Sequence, residues 1–182
     1  MPKKLVPRWL LARYVVAAIL LSVIAVAGTI LTQRLLEGPA ETFAIEPSYA
    51  FDVTHLPYLA GYADNVSIAR VTGIASVQPP QTVYTLDVQQ SLKGSLSGQV
   101  TVRQDGYRSG NDVWVDTDQP QLAVGGTYLL VTNPVLDGDG HVLLGGSAAS
   151  VPLTDLTRTV VVSRYQRAIA DQEYPPRVPP KA

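Results

Sequence analysis

The feature that most constrains this chain is an uncharged apolar run, Tyr14–Gln33, YVVAAILLSVIAVAGTILTQ. About twenty helical residues are what a hydrocarbon core about 30 Å thick requires. No polar face interrupts the run, so a helix here has no side suited to water, which argues against a buried soluble helix. Lys3, Lys4, Arg8 and Arg13 precede it, whereas Arg34 is soon followed by Glu37 and Glu41. That asymmetry predicts a cytoplasmic N-terminus and a domain on the far side. Residues 1–13 are thus expected as a basic cytoplasmic segment, and residues 14–36 as a single-pass helix in contact with the lipid bilayer. Two fates for this helix stay open. Ala25-Val26-Ala27 has the form of a signal-peptidase site, with cleavage after Ala27, but apolar residues continue through Ile30, Leu31, Leu35 and Leu36, which favours an uncleaved signal-anchor. Both place the remainder in the cell envelope, outside the cytoplasm.

Charge narrows the partners. The chain has 14 Lys and Arg against 15 Asp and Glu, and five of the basic residues precede residue 35 while none of the acidic ones do. The exported part therefore carries 9 basic and 15 acidic side chains, about −6. A net negative domain repels phosphates, which excludes nucleic acid as an expected partner and disfavours binding to anionic lipid. Cysteine is absent, so disulfides, thiolate metal sites, a cysteine nucleophile and a lipid-modified cysteine are excluded. The domain must be held by its core alone.

Beyond a spacer over 37–53, containing Gly38, Pro39 and Pro47, THLPYLAGYA (54–63) reads as a short helix with Thr54 as N-cap and Leu56, Leu59 and Tyr62 inward. The pattern then turns to strands. NVSIARVTGIASV (65–77) is β-branched, and TVYTLDVQQSLKG (82–94) alternates with Tyr84, Leu86 and Val88 on one face. QVTVRQDG (99–106) places Val100 and Val102 inward. Residues 105–123 form the longest loop-like region, with a short strand at Val113 to Val115. GGTYLLVTN (125–133) has the continuous apolar character of a strand buried on both faces. Asp137-Gly138-Asp139-Gly140 is a hairpin turn leading into 141–148. A helix is expected over about 155–171, capped by Thr154-Asp155, with Leu156, Val160, Val161, Tyr165 and Ile169 as its apolar positions. YPPRVPPKA (174–182) has polyproline character. The expected fold is mainly β: a small five-stranded barrel over 54–173 with a C-terminal helix, preceded by one transmembrane helix.

The order of these pieces carries a resemblance. A helix ends in Ala63-Asp64 and a strand carrying Gly73 follows. Then come Tyr84, Val88 and Leu92-Lys93-Gly94, then Val100-Thr101-Val102, then Gly126-Thr127-Tyr128-Leu129-Leu130. Over about residues 54–150 this resembles the OB-like barrel of the netrin-module and tissue-inhibitor-of-metalloproteinase group, and bacterial membrane-anchored surface proteins with the same pattern. The resemblance implies an OB-like five-stranded barrel. It does not carry inhibition with it, because those inhibitors chelate the protease metal with an amino-terminal cysteine and this chain has none.

Residues able to do chemistry are few. The only histidines are His55 and His141, so a general base has to come from one of these or from a carboxylate. Gly145-Gly146-Ser147-Ala148-Ala149 departs from G-x-S-x-G at the last glycine and is expected as a tight strand end. Asp137 and Asp139 lack the remaining ligands of an EF-hand loop. Asp105, Asp112, Asp116 and Asp118 form a richer acidic group that could hold a hard cation, with a solvated loop as the ordinary reading. No phosphate-binding loop or dinucleotide fingerprint is present, and no cofactor is expected. Arg103, Tyr107, Arg108 and Trp114 are candidates for a partner-binding patch, because aromatic residues and arginine anchor protein contacts. The expected role is a non-catalytic binding or assembly module for another envelope protein or a wall polymer. Two alternatives remain: an exported hydrolase of envelope polymers using carboxylates such as Asp105 and Asp116, and a structural subunit of a membrane complex packing through Ala17, Ala18, Ser22, Ala25 and Gly28.

Overall fold

A computed structural model describes residues 41–136 and 138–176. The apolar run Tyr14–Gln33, Asp137 and the end of the Pro-rich tail lie outside the described residues. Among the described residues, no helix is long and apolar enough to cross a membrane.

Five strands close into a barrel: β2 (Asn65–Gln78), β3 (Gln81–Lys93), β4 (Gly98–Asp105), β7 (Thr127–Pro134) and β8 (His141–Leu143). Their order around the wall is β2-β3-β4-β8-β7, and β7 returns to β2 to complete it. All pairings are antiparallel except β4 with β8, where Val102 lies beside His141 and Arg103 beside Val142. The short β9 (Ser150–Pro152) takes the part of β7's second edge that β8 leaves open. Outside the barrel, β1 (Thr42–Ile45), β5 (Tyr107–Ser109) and β6 (Asp112–Asp116) form a separate three-stranded sheet in the order β1-β6-β5. Two helices, α1 (Leu56–Tyr62) and α2 (Arg158–Ala170), pack together on the barrel.

β2 is the strand on which closure depends. Its first half, Asn65 to Arg70, pairs with β7 on one edge and β3 on the other. Its side chains there are buried almost without interruption, as expected of a strand with covered faces. Register shifts interrupt the β2–β3 ladder four times, between Val66/Ser67, Ile68/Ala69, Val71/Gly73 and Ile74/Ser76. Extra residues of this kind bend and twist a strand, which a small barrel requires. Beyond Val71, β2 pairs with β3 alone, and the two project as a hairpin.

The apolar residues divide into two groups separated by β7. Leu129 and Val131 face α1 and α2, meeting Leu56, Leu59, Tyr165 and Ala168. Leu130 faces the barrel interior with Val71, Tyr84, Leu86, Val102 and Leu143. This is why β7 reads as apolar throughout: one face serves the helices and the other the barrel. Lys93, at the end of β3, ties the helical layer to the barrel by donating to the Ala60 carbonyl at 2.7 Å and to Gln172 Oε1 at 2.6 Å.

The expected barrel strands and both helices form close to where the apolar pattern places them, with several differences, including β5 within the expected loop 105–123 and the unexpected β9. The stretch expected as spacer contains β1, which gains its partner only from distant β6. Thr54 does not cap α1, because its hydroxyl bonds Asp52 at 2.6 Å and the cap position falls on His55. α2 starts a turn later than expected: Thr154 and Thr157 hydrogen-bond each other, leaving Leu156 and Val160 exposed rather than inward. The segment 141–148 is strand only to Leu143 and then turns into a 3-10 helix at Ser147–Ala149.

Leu59 is fully buried between the helices and β7. Truncating it to alanine removes about three methyl-sized groups from a packed site, so Leu59→Ala should cost about 2–5 kcal/mol. Leu156→Ala, at a side chain 91% exposed, should stay within about 0.5 kcal/mol of the parent. Chemical denaturation of the full chain in detergent checks both.

Candidate functional site

β4 alternates inward as Val100 and Val102, and the next inward position is Gln104, only 1% exposed. A buried amide must be hydrogen-bonded, and Gln104 finds its partners in the connection after β6. Its Nε2 donates to the Pro120 carbonyl at 2.9 Å, and its Oε1 accepts from the Leu122 N–H at 3.0 Å. Leu122 is thereby drawn into the barrel core. Gln119, also buried, donates from Nε2 to the carbonyls of Leu144 at 2.9 Å and Gly146 at 3.1 Å. Two glutamines therefore hold residues 119–122 against the barrel.

Gly106 makes the turn from β4 into β5 at φ +99, and a Cβ there would collide with Gln121 and the Trp114 carbonyl. Its N–H donates to the Pro80 carbonyl at 2.8 Å, and its own carbonyl accepts from Thr82 Oγ1 at 2.8 Å. The small sheet that follows is faced by a three-ring stack. Trp114 lies between Phe43 and Tyr107, with centroids 4.7 Å apart on each side and planes 15° and 2° from parallel. Parallel pairing of Phe43 with Trp114 and antiparallel pairing of Tyr107 with Trp114 put the three rings on one face.

Between this sheet and the projecting β2–β3 hairpin lies a cavity of about 720 Å³. Ile74, Val77 and Tyr84 line it from the hairpin, and Val113, Val115 and Tyr107 from the small sheet. In register, Ile74 pairs with Tyr84 and Val77 with Thr82, so all four continue the barrel's inner face past the barrel mouth. Ile74 is nevertheless 54% exposed and Val77 43%. The cleft is in effect an uncovered extension of the core. The Tyr84 hydroxyl donates to Gln121 Oε1 at 2.8 Å, and burial pushes its pKa up to about 12.

Asp116 also lines the cleft, and it is only 5% exposed. Its Oδ1 accepts from the Asp118 N–H at 2.7 Å, closing a tight turn. Among the described residues no cation is paired with it. Burial raises its pKa above the usual carboxylate value, and the charges of Asp118 and Asp105 add to this. A neighbouring cleft of about 610 Å³ shares Thr117 and Pro120 with the first and is lined by Tyr49, Phe51, Asp52 and Asp118. The Tyr49 hydroxyl there is buried without a well-formed hydrogen bond. Burial, then the charges of Asp116 and Asp118, push its pKa up to about 12.

Of the four patch candidates, Tyr107 stacks on Trp114 and shares the cleft wall with Arg108, whereas Trp114 does not line the cleft. Arg103 lies instead in a separate hollow with Val135, Leu136 and Val142. The four aspartates are dispersed by their own hydrogen bonds. Asp105 accepts from Gln81 Nε2 at 2.9 Å and Asp112 from the Glu41 N–H at 3.2 Å, while Asp116 and Asp118 share a turn. Among the described residues, no group of three or more His, Asp or Glu side chains is placed to hold a metal ion. His55 packs on Tyr58, with ring centroids 4.1 Å apart. His141 lies on β8, where burial lowers its pKa. Gly145 and Gly146 owe their smallness to packing, since a Cβ would strike Tyr49 at the first and Val53 at the second. Ser147 after them is exposed.

Sequence reasoning passed over Phe43, Ile74, Val77 and Gln104. Gln104 was legible as the next member of the Val100–Val102 alternation, but a polar residue there gave no hint of its partners. Neither the known protein families nor the curated proteins searched contain a match to this chain.

Two outcomes test this site. Gln104→Leu leaves the Pro120 carbonyl and the Leu122 N–H unpaired and should cost about 1–3 kcal/mol in denaturant unfolding. For Asp116, a folded-state pKa above the unfolded value means that the folded protein holds the proton more tightly. The stabilising effect of protonation is therefore complete below the unfolded pKa and is lost as pH rises through the folded one. Asp116→Asn removes this dependence, so its melting temperature relative to the parent should rise between acid and neutral pH.

Proposed function

We propose that this chain is a single-pass, membrane-anchored protein whose OB-like barrel works outside the cytoplasm as a non-catalytic binding module for another envelope protein. The barrel supports the OB-like reading through its strand order and its one parallel pair, β4 with β8. The anchor and its orientation rest on the apolar run Tyr14–Gln33 and the basic residues before it. The observation that carries the function is the cleft. Ile74 and Val77 stand about half exposed opposite Val113 and Val115, with Tyr107 on the same wall backed by its stack on Trp114. Leaving apolar side chains in water is unfavourable, and a rigid aromatic edge with an apolar trough is what a partner's side chains fill. A wall polymer, rich in hydroxyls, would need more convergent polar groups than this trough offers.

One observation favours a second reading. Asp116 is a desolvated carboxylate in a cleft, with the charge of Asp105 acting on it. Carboxylate catalysis on a glycosidic bond needs two such groups flanking the bond. Asp105 is exposed and bonded to Gln81, and the cleft is not lined by it. Binding is therefore the better reading. Turnover of purified wall fragments that disappears in Asp116→Asn would replace it with a hydrolase.

The test is photo-crosslinking from Val77 in the native membrane. It should capture one envelope protein, and the double variant Ile74→Ser, Val77→Ser should weaken binding of that protein at least tenfold, about 1.4 kcal/mol. Both side chains are only about half buried, so the variant's unfolding free energy should fall by about 1–3 kcal/mol while the fold persists.

A further inference from the structure

The cleft's charged groups define the segment that fits it, an inference that rests on the binding reading above. Asp116 lies at one end of β6 and is an anion withdrawn from water. It is held by the Asp118 N–H, with no cation paired to it among the described residues. A buried charge without a counter-charge is costly, and a partner that supplies one gains the interaction the fold leaves unmade. Arg108 sits at the other end. It pairs across the ribbon with Val113, three residues along β6 from Asp116, or roughly 10 Å in an extended strand. It too has no ion-pair partner among the described residues. Between the two, the walls are apolar: Val113 and Val115 on one side, Ile74 and Val77 on the other.

We infer that the cleft takes an extended segment of a partner protein that places a lysine or arginine at Asp116, apolar side chains along Val113 and Val115, and an acidic side chain at Arg108. Such a segment matches the cleft in length, polarity and sign at both ends. The groups acting on Asp116 support the cationic end, since Asp118 and Asp105 add negative potential and Tyr49 remains neutral near physiological pH. Among the described residues, Arg108 is the one basic side chain on the cleft wall.

The experiment uses the full chain in lipid nanodiscs with Trp9→Phe, which leaves Trp114 as the sole tryptophan. Trp114 stacks on the cleft residue Tyr107, so its fluorescence reports occupancy. The probes are four capped peptides: Lys-Val-Val-Glu, its neutral counterpart Gln-Val-Val-Gln, the doubly acidic Glu-Val-Val-Glu, and Lys-Ser-Ser-Glu. Lys-Val-Val-Glu should give a saturable change and bind at least tenfold more tightly than each of the others. Asp116→Asn should remove most of that preference for Lys-Val-Val-Glu over Gln-Val-Val-Gln, and Arg108→Gln should reduce it. Acidification through the titration of Asp116 should weaken the two lysine-bearing peptides and leave Gln-Val-Val-Gln unchanged. Equal affinities for Lys-Val-Val-Glu and Gln-Val-Val-Gln, or unchanged selectivity in Asp116→Asn, would overturn the inference while leaving an apolar binding cleft intact. Fluorescence indifferent to all four peptides would overturn it too. If photo-crosslinking from Val77 in the native membrane also captures no envelope protein, the binding reading falls with it.

Discussion

Barrel closure places the heaviest demand on one strand. β2 must pair on both edges over Asn65 to Arg70 and then leave the barrel still paired with β3. A strand that does both needs buried, β-branched residues in its first half and bends along its length, and both are present. Everything else is arranged around that path. β7 seals the barrel and turns its outer face to the helices, and the hairpin left over becomes one wall of the cleft. The exposed Ile74 and Val77 follow from the same geometry, since they continue the inner face where the barrel ends.

The second wall depends on polar contacts. A short sheet of three strands, joined through loops, has little core of its own and is marginal in isolation. Gln104 and Gln119 compensate by carrying four hydrogen bonds into the barrel from the connection that follows β6. Stacking of Phe43, Trp114 and Tyr107 then ties β1 and β5 to β6. Buried amides that are fully bonded specify one arrangement, because any other leaves them unsatisfied. The cleft is thus a preformed feature of the fold, and the placement of Asp116 at its edge follows from the same connection.

Much of the barrel was legible in the chain because its strands obey period-two burial: Tyr84, Leu86 and Val102 face inward where alternation predicts. The helices were legible in position but not in detail. Leu156 and Val160 look like core residues, yet the Thr154–Thr157 turn delays α2 and rotates them outward. β1 was illegible because four residues, TFAI, flanked by loops carry no period of their own. Their structure comes from β6, about seventy residues away. Arg103 and Arg108 are five residues apart and look like one patch, but Gly106 turns the chain between them and sends them to different hollows.

What the sequence by itself determined is what depends on composition and local period: an apolar run long enough to span a bilayer, a cysteine-free acidic domain, and the strands of a β-barrel with a helix behind them. These are properties of consecutive residues meeting water or avoiding it. What only the tertiary structure decided is which distant residues meet. It stacked Phe43 on Trp114, set Ile74 opposite Val113, and withdrew Asp116 from water without giving it a cation among the described residues. Those outcomes depend on long-range pairing and on buried amides seeking partners across the fold, which no local pattern encodes.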